Sequence, residues 1–179
     1  MTEAASASVH ASAVLVGNRA VLIRGPSGAG KSRLAFDLIL AGRSGQVPKA
    51  VLVGDDRVHL DTADEEIVVR PVPELAGLIE IRGLGIRRCE LAGAAIVGLV
   101  VDLCAADAER LPPPEALTTR IFGVEIPRIP VAAGYAALPL VVAALTTTGS
   151  STLSQPSSQP SADCLKGIGN HMKHTIATE

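Results

Sequence analysis

Aromatic side chains are nearly missing from this 179-residue chain, which has no Trp, one Tyr and two Phe. Few π-faces are left for stacking single-stranded bases, and a formal net charge of -2 gives no positive footprint for a polyanion. Nucleic acid is therefore not an expected partner. Cysteine is scarce too. Cys89, Cys104 and Cys164 form no C-x-x-C pair, so neither a disulfide framework nor a zinc site is expected, only reduced thiols. The first residues, MTEAASASVHASAVLVG, lack the basic start and long apolar run of a signal peptide. The longest apolar stretches, 91–103 and 132–145, are broken by Gly, Pro or Asp and fall short of the roughly 20 residues that span a bilayer. The expectation is a soluble cytoplasmic protein with no membrane partner.

Apolar residues are plentiful. At 47% of the chain they suffice for one domain with a core of Val, Leu, Ile and Ala. Residues 13–16 and 20–24 read as two strands of a hairpin turning at Gly17-Asn18. The second strand leads into GPSGAGKS, residues 25–32, and SRLAFDLILAG then follows at helical spacing until Gly42. KAVLVGDDRVHL reads as a strand running into paired acids, and IVVRPV as another strand. Gly77, Gly83 and Gly85 argue against a long helix in PELAGLIEIRGLGI. Residues 89–104 read as a buried strand and ERLPPPEALTTR as a proline-rich connection. FGVEIPRIPV reads as an edge strand or extended segment, because Pro127 and Pro130 cannot donate to a ladder. AALPLVVAALTT reads as a final helix. Beyond it the composition turns to Ser, Thr, Gln and Pro, so residues 149–179 are expected to be a disordered tail after a domain spanning 7–148.

Gly25, Gly30, Lys31 and Ser32 satisfy G-x-x-x-x-G-K-[S/T], with the strand before and helix after that the motif requires. Glycines let backbone N–H groups close around phosphate oxygens, and the helix start offers its positive dipole end. Lys31 would reach the outer phosphates and the Ser32 hydroxyl would ligate Mg²⁺. A glycine-rich helix-entry turn without a ligand is the plainer alternative. The motif points to a nucleoside triphosphate but is silent about the phosphoryl acceptor.

Phosphoryl transfer to a hydroxyl also needs an acid for the metal and a base for the proton. Asp55 and Asp56 close an apolar strand, where strand ends of α/β folds meet ligands. Neighbours on a strand point to opposite faces, so one of the two would face the phosphate. Capping a solvated turn is the other reading of the pair. A lone His10 ahead of the first strand is more often structural than catalytic. Glu80 and Arg82 in LIEIRGLGI read either as charges at a site edge or as a salt bridge.

Four stretches together, VHASAVLVGNRAVLIRG, GPSGAGKS, VGDDRV and LIEIRGLGI, resemble the catalytic domain of HPr kinase/phosphorylase, the bacterial serine kinase acting on the phosphocarrier HPr. The resemblance covers about residues 7–145. It implies an α/β, P-loop kinase domain of the HPr kinase/phosphoenolpyruvate carboxykinase-like type, a mixed sheet with flanking helices. It implies a functional His10, and an ATP or pyrophosphate cradle formed by Gly25, Pro26, Ser27, Gly28, Ala29, Gly30, Lys31 and Ser32. Asp56 matches the general base, with Asp55 beside it, and Glu80 matches a second Mg²⁺ ligand. Ile79 to Arg88 matches a segment needed in both reaction directions, and Arg110 in AERLP matches the catalytic arginine. A phosphocarrier partner, HPr or its nitrogen-related counterpart, and a homo-hexamer are implied as well.

The departures from the family pattern bear on direction and domain content. Longer members carry an N-terminal domain for which this chain has no room, as in the shortened forms of alpha-proteobacteria. Where longer members read P-V-R-P-G-R-N, this chain reads PVAAGYA, with Ala132 and Tyr135 in place of two phosphate-holding guanidiniums. The expectation is a kinase, with the phosphorylase direction left open. An ATP-binding regulatory module without transfer chemistry is the alternative.

Overall fold

A computed structural model describes residues 6–148; the expected tail, 149–179, lies outside the described residues. The hairpin forms as expected. β2 (Ser12–Val16) and β3 (Arg19–Arg24) pair antiparallel around Gly17-Asn18. An unanticipated β1 (Ser6–Val9) precedes them and pairs with β5. α1 (Lys31–Arg43) follows the glycine loop and buries Leu34, Ala35, Leu38 and Ile39, the stripe that its apolar spacing dictates.

The expected strand through the acidic pair is two strands. β4 (Ala50–Gly54) stops and β5 (Val58–Ala63) starts in another part of the sheet. The break sits at Asp56, whose φ of 62° is left-handed, and the Arg57 N–H turns back to the Asp55 carbonyl at 2.7 Å. β6 (Glu66–Pro71) pairs with β5, and a short 3-10 turn at Pro73–Leu75 replaces any long helix there. β7 (Leu78–Ile81) and β8 (Gly85–Arg88) then form a separate two-stranded hairpin.

The strand expected over 89–104 is shorter. β9 covers Ala95–Leu103, while the preceding residues cross β4 as a connection, with the Ala92 N–H on the Leu52 carbonyl at 2.8 Å. Small residues around Gly93 give that stretch nothing large to bury. The proline-rich connection contains a 3-10 turn, Pro114–Leu117, and a strand, β10 (Thr118–Ile121). β11 (Val124–Val131) is an edge strand as expected, but it changes partner midway: its first half pairs with β10 and its second half runs parallel to β9. With one partner assigned to each half, Pro127 and Pro130 can lie where no ladder donor is demanded. α2 (Ala137–Thr146) is the expected final helix.

Nine of the eleven strands among the described residues join one mixed sheet, with β4, β2, β3, β9 and β11 as consecutive neighbours. Alternation along these strands feeds two cores. Val14, Val21, Ile23, Leu99 and Val101 pack with α1 and α2, whereas Ala13, Leu22, Val53, Val97 and Val100 pack with β5 and β6. Each fully buried Leu or Ile contributes about 1.5–3 kcal/mol. The sheet is mixed and the helices few. β4, β3, β9 and β11 are mutually parallel by this pairing, so their carboxyl ends share one end of the sheet.

Candidate active site at the carboxyl ends of the parallel strands

All the candidate residues but Glu80, which lies on the separate β7–β8 hairpin, leave or approach the sheet at that end. The glycine loop follows β3, the acidic pair follows β4, and the segment carrying Arg110 follows β9. β2 lies antiparallel between β3 and β4, so His10, just before it, enters between the loop and the acids. Open α/β sheets bind ligands at this position because each strand-to-loop turn points side chains and amides the same way.

The geometry of the loop suits an anion. Gly25 has φ 148°, and a Cβ there would come within 3.0 Å of the Leu103 side chain and carbonyl. Gly30 caps α1 at φ 96° without a side-chain cap, and the first helical turn holds no acidic residue. The helix's orphan N–H groups therefore have no carboxylate of their own turn to satisfy them. Lys31 is only 6% exposed, yet its ammonium is satisfied by the carbonyls of Gly25 and Pro26, at 2.9 and 3.0 Å. Pro26, Ser27 and Gly28 lie exposed along the rim, with Ala29 half-buried. A cation folded on its own loop and an uncapped helix start are a donor set that phosphate oxygens fit.

The acidic pair splits between two environments. Asp55 is 3% exposed, and its carboxylate accepts from the buried Ser12 hydroxyl at 2.6 Å and the Glu80 N–H at 3.2 Å. Asp55 thus docks the β7–β8 hairpin onto β4. Asp56 is exposed at 73%, and its Oδ1 stands 3.4 Å from His10 Nε2. Left-handed backbone at Asp56 turns the two carboxylates apart, and Asp tolerates that conformation better than most residues. Glu80 is exposed at the hairpin edge, and no ion pair joins it to Arg82 among the described residues. Ser32 is half-buried in the first turn of α1. Ser32 hydroxyl and the Glu80 carboxylate are hard oxygen donors of the kind Mg²⁺ takes. No group of three or more His, Cys, Asp or Glu among the described residues is arranged to hold a metal alone.

Arg110 is exposed in the segment after β9, with no side-chain bond among the described residues. Beside it lies a network that sequence reasoning missed. Asp102, on β9, accepts a bidentate pair from Arg24 at 2.7 and 2.7 Å, and a bond from Arg128 Nε at 2.5 Å. Arg128 in turn forks onto Asp107 at 2.6 and 2.9 Å and reaches the Ala116 carbonyl at 3.0 Å. Burial alone would push the Asp102 carboxyl up, but the hydrogen bonds and charges of Arg24 and Arg128 outweigh it and hold the group low. An acid in the apolar run VVDLC was the available sequence signal, since such a charge needs a partner.

Asp102 is lower in the fold than in the unfolded chain. Its stabilisation is therefore complete above the ordinary carboxylate value of about 4 and is lost as pH falls through the folded value. Asp102→Asn is expected to cost about 2–3 kcal/mol at pH 7, because two part-buried guanidiniums lose their counter-charge. Urea midpoints at pH 7 and pH 3 check this; the variant should lose less on acidification than the wild type. Cys89 is unsuited to nucleophilic chemistry. Burial pushes its thiol up, Arg43 pulls it back and Asp55 adds to the rise.

Together the fold and these groups define a mixed α/β protein with an anion-adapted loop and carboxylates at one end of its sheet. The family model described as the HPr Serine kinase C-terminal domain matches residues 2–159, and the chain belongs to that family. It is 32% identical over 154 residues to the HPr kinase/phosphorylase of Mycoplasma mycoides, covering 78% of this chain and 47% of that protein. It is 38% identical over 139 residues to the HPr kinase/phosphorylase of Geobacillus thermodenitrificans, covering 72% and 43%. The chain thus spans somewhat under half the length of these relatives. The solved structure of the HPr(Ser) kinase/phosphatase from Coxiella burnetii superposes with a TM-score of 0.62 at 26% identity, covering 78% of this chain and 93% of that one. Among the described residues, no helix is long and apolar enough to cross a membrane.

Proposed function

We propose that residues 7–148 form a P-loop catalytic domain that phosphorylates a seryl hydroxyl of an HPr-type phosphocarrier with ATP and Mg²⁺. Supporting this reading above all is the meeting at one sheet end of a lysine-bearing anion loop and an exposed carboxylate paired with a histidine. Amides of Gly25 to Ser32 cradle the phosphates, and Lys31 swings from its loop carbonyls onto them. Ser32 and Glu80 are the residues that would hold Mg²⁺, which usually needs few protein carboxylates. When bound there, Mg²⁺ would offset negative charge on the phosphates.

The remaining groups handle the acceptor. Asp56 takes the seryl proton while the hydroxyl oxygen bonds the γ-phosphorus and the bond to the β-phosphate oxygen breaks, releasing ADP. His10 holds the Asp56 carboxylate from the side, and Asp55 fixes the hairpin that presents Glu80. Arg110 supplies a guanidinium for the transferring group. The family's activity would place the chain in regulation of the phosphotransferase system, in the cytoplasm and as a hexamer. Ala132 and Tyr135, in place of phosphate-holding arginines, disfavour the reverse phosphorylase direction.

Incubation with γ-labelled ATP, Mg²⁺ and a purified phosphocarrier tests the reading. Label on a serine of the carrier is expected. Tight ATP binding with no label on any carrier would instead identify a nucleotide-binding regulatory module.

A further inference from the structure

The segment between β9 and the 3-10 turn at Pro114, residues 104–113, begins against the glycine loop, since a Cβ on Gly25 would come within 3.0 Å of Leu103. Few bonds secure it. Its start is held by the Ala105 N–H on the Val131 carbonyl at 2.9 Å. Its middle is held by Asp107, whose two carboxylate oxygens accept the fork of Arg128. Arg128 is 13% exposed and simultaneously engages Asp102, which is itself clamped to Arg24, the residue before Gly25. One guanidinium therefore ties the middle of the segment to the strand that launches the glycine loop. Arg110 stands three residues beyond Asp107 with no tie of its own among the described residues.

We propose that Arg128 is a positioning residue, holding segment 104–113 through Asp107 so that Arg110 stays at the glycine-loop end of the sheet. This inference rests on the kinase reading for Arg110's role, but the latch itself does not. A planar fork binding two carboxylates at once fixes direction as well as distance, which a lysine could not reproduce. Small displacements of a group that meets the transferring phosphate are costly in rate and cheap in binding.

Asp107 is the residue to vary, because it is 52% exposed and its loss does not open the core. Asp107→Ala is expected to lower kcat about tenfold with little change in KM for ATP, and Asp107→Glu to recover much of it. In a double-mutant cycle, Asp107→Ala combined with Arg110→Ala should be no slower than Arg110→Ala alone. Hydrogen exchange gives the activity-independent readout: amides of 104–111 should exchange faster in Asp107→Ala but not in Arg110→Ala. Multiplying rate losses in the cycle would overturn the positioning role. Unchanged exchange would overturn the latch whatever the activity. If the wild type transfers no phosphate at all, the kinase reading falls and Arg110's role with it, while the exchange result still decides whether the latch exists.

Discussion

Asp56→Asn is expected to bind ATP as the wild type does and to lose about 10²–10⁴-fold in turnover. The substitution keeps size and shape, and Asn occupies left-handed backbone as readily as Asp, so φ 62° is not an obstacle. The side chain is exposed and, among the described residues, its one partner is His10, so little stability is at stake. What disappears, on the proposed mechanism, is the capacity to accept the seryl proton. Asp55→Asn makes the informative contrast. That carboxylate is buried between the Ser12 hydroxyl and the Glu80 N–H, so its variant should show a lower melting temperature and a loosened β7–β8 hairpin. Steady-state kinetics beside thermal melts separate the two aspartates.

Lys31→Ala should be the other severe variant, with a loss of about 10²–10³-fold or more in kcat/KM for ATP. Its ammonium now lies on the carbonyls of Gly25 and Pro26, a holding position from which phosphate oxygens would draw it. Removing it leaves two partly exposed carbonyls to water, and Ala suits the start of a helix, so the fold should change by about 1 kcal/mol or less. Calorimetric titration with ATP and a melting curve measure both. A large fall in affinity with an unchanged melt is the expected pair of results.

Much of this site is legible in the sequence because its parts are local. The loop is eight consecutive residues between a strand and a helix, and the hairpin before it turns at Gly-Asn. Asp55 and Asp56 could be named, but their division into a buried and an exposed carboxylate depends on Ser12, 43 residues away from Asp55. Long-range pairing was likewise invisible. Nothing local says that β11 runs beside β9, or that Arg128 would meet Asp102 and Asp107 there. The prolines of β11 suggested an edge, a sound inference from missing donors that could not foresee a strand changing partners midway. Apolar composition alone does not mark where pairing begins, so glycine and alanine around residue 93 read as part of the strand that in the fold starts at Ala95.

The central claim is that this end of the sheet transfers phosphate from ATP to a protein serine. Mass spectrometry of a phosphocarrier after reaction with Mg²⁺-ATP and wild type, Lys31→Ala or Asp56→Asn tests it most directly. The account predicts one seryl phosphate with the wild type, dependent on Mg²⁺, and almost none with either variant. An unmodified serine with the wild type, or equal modification with Asp56→Asn, would contradict it.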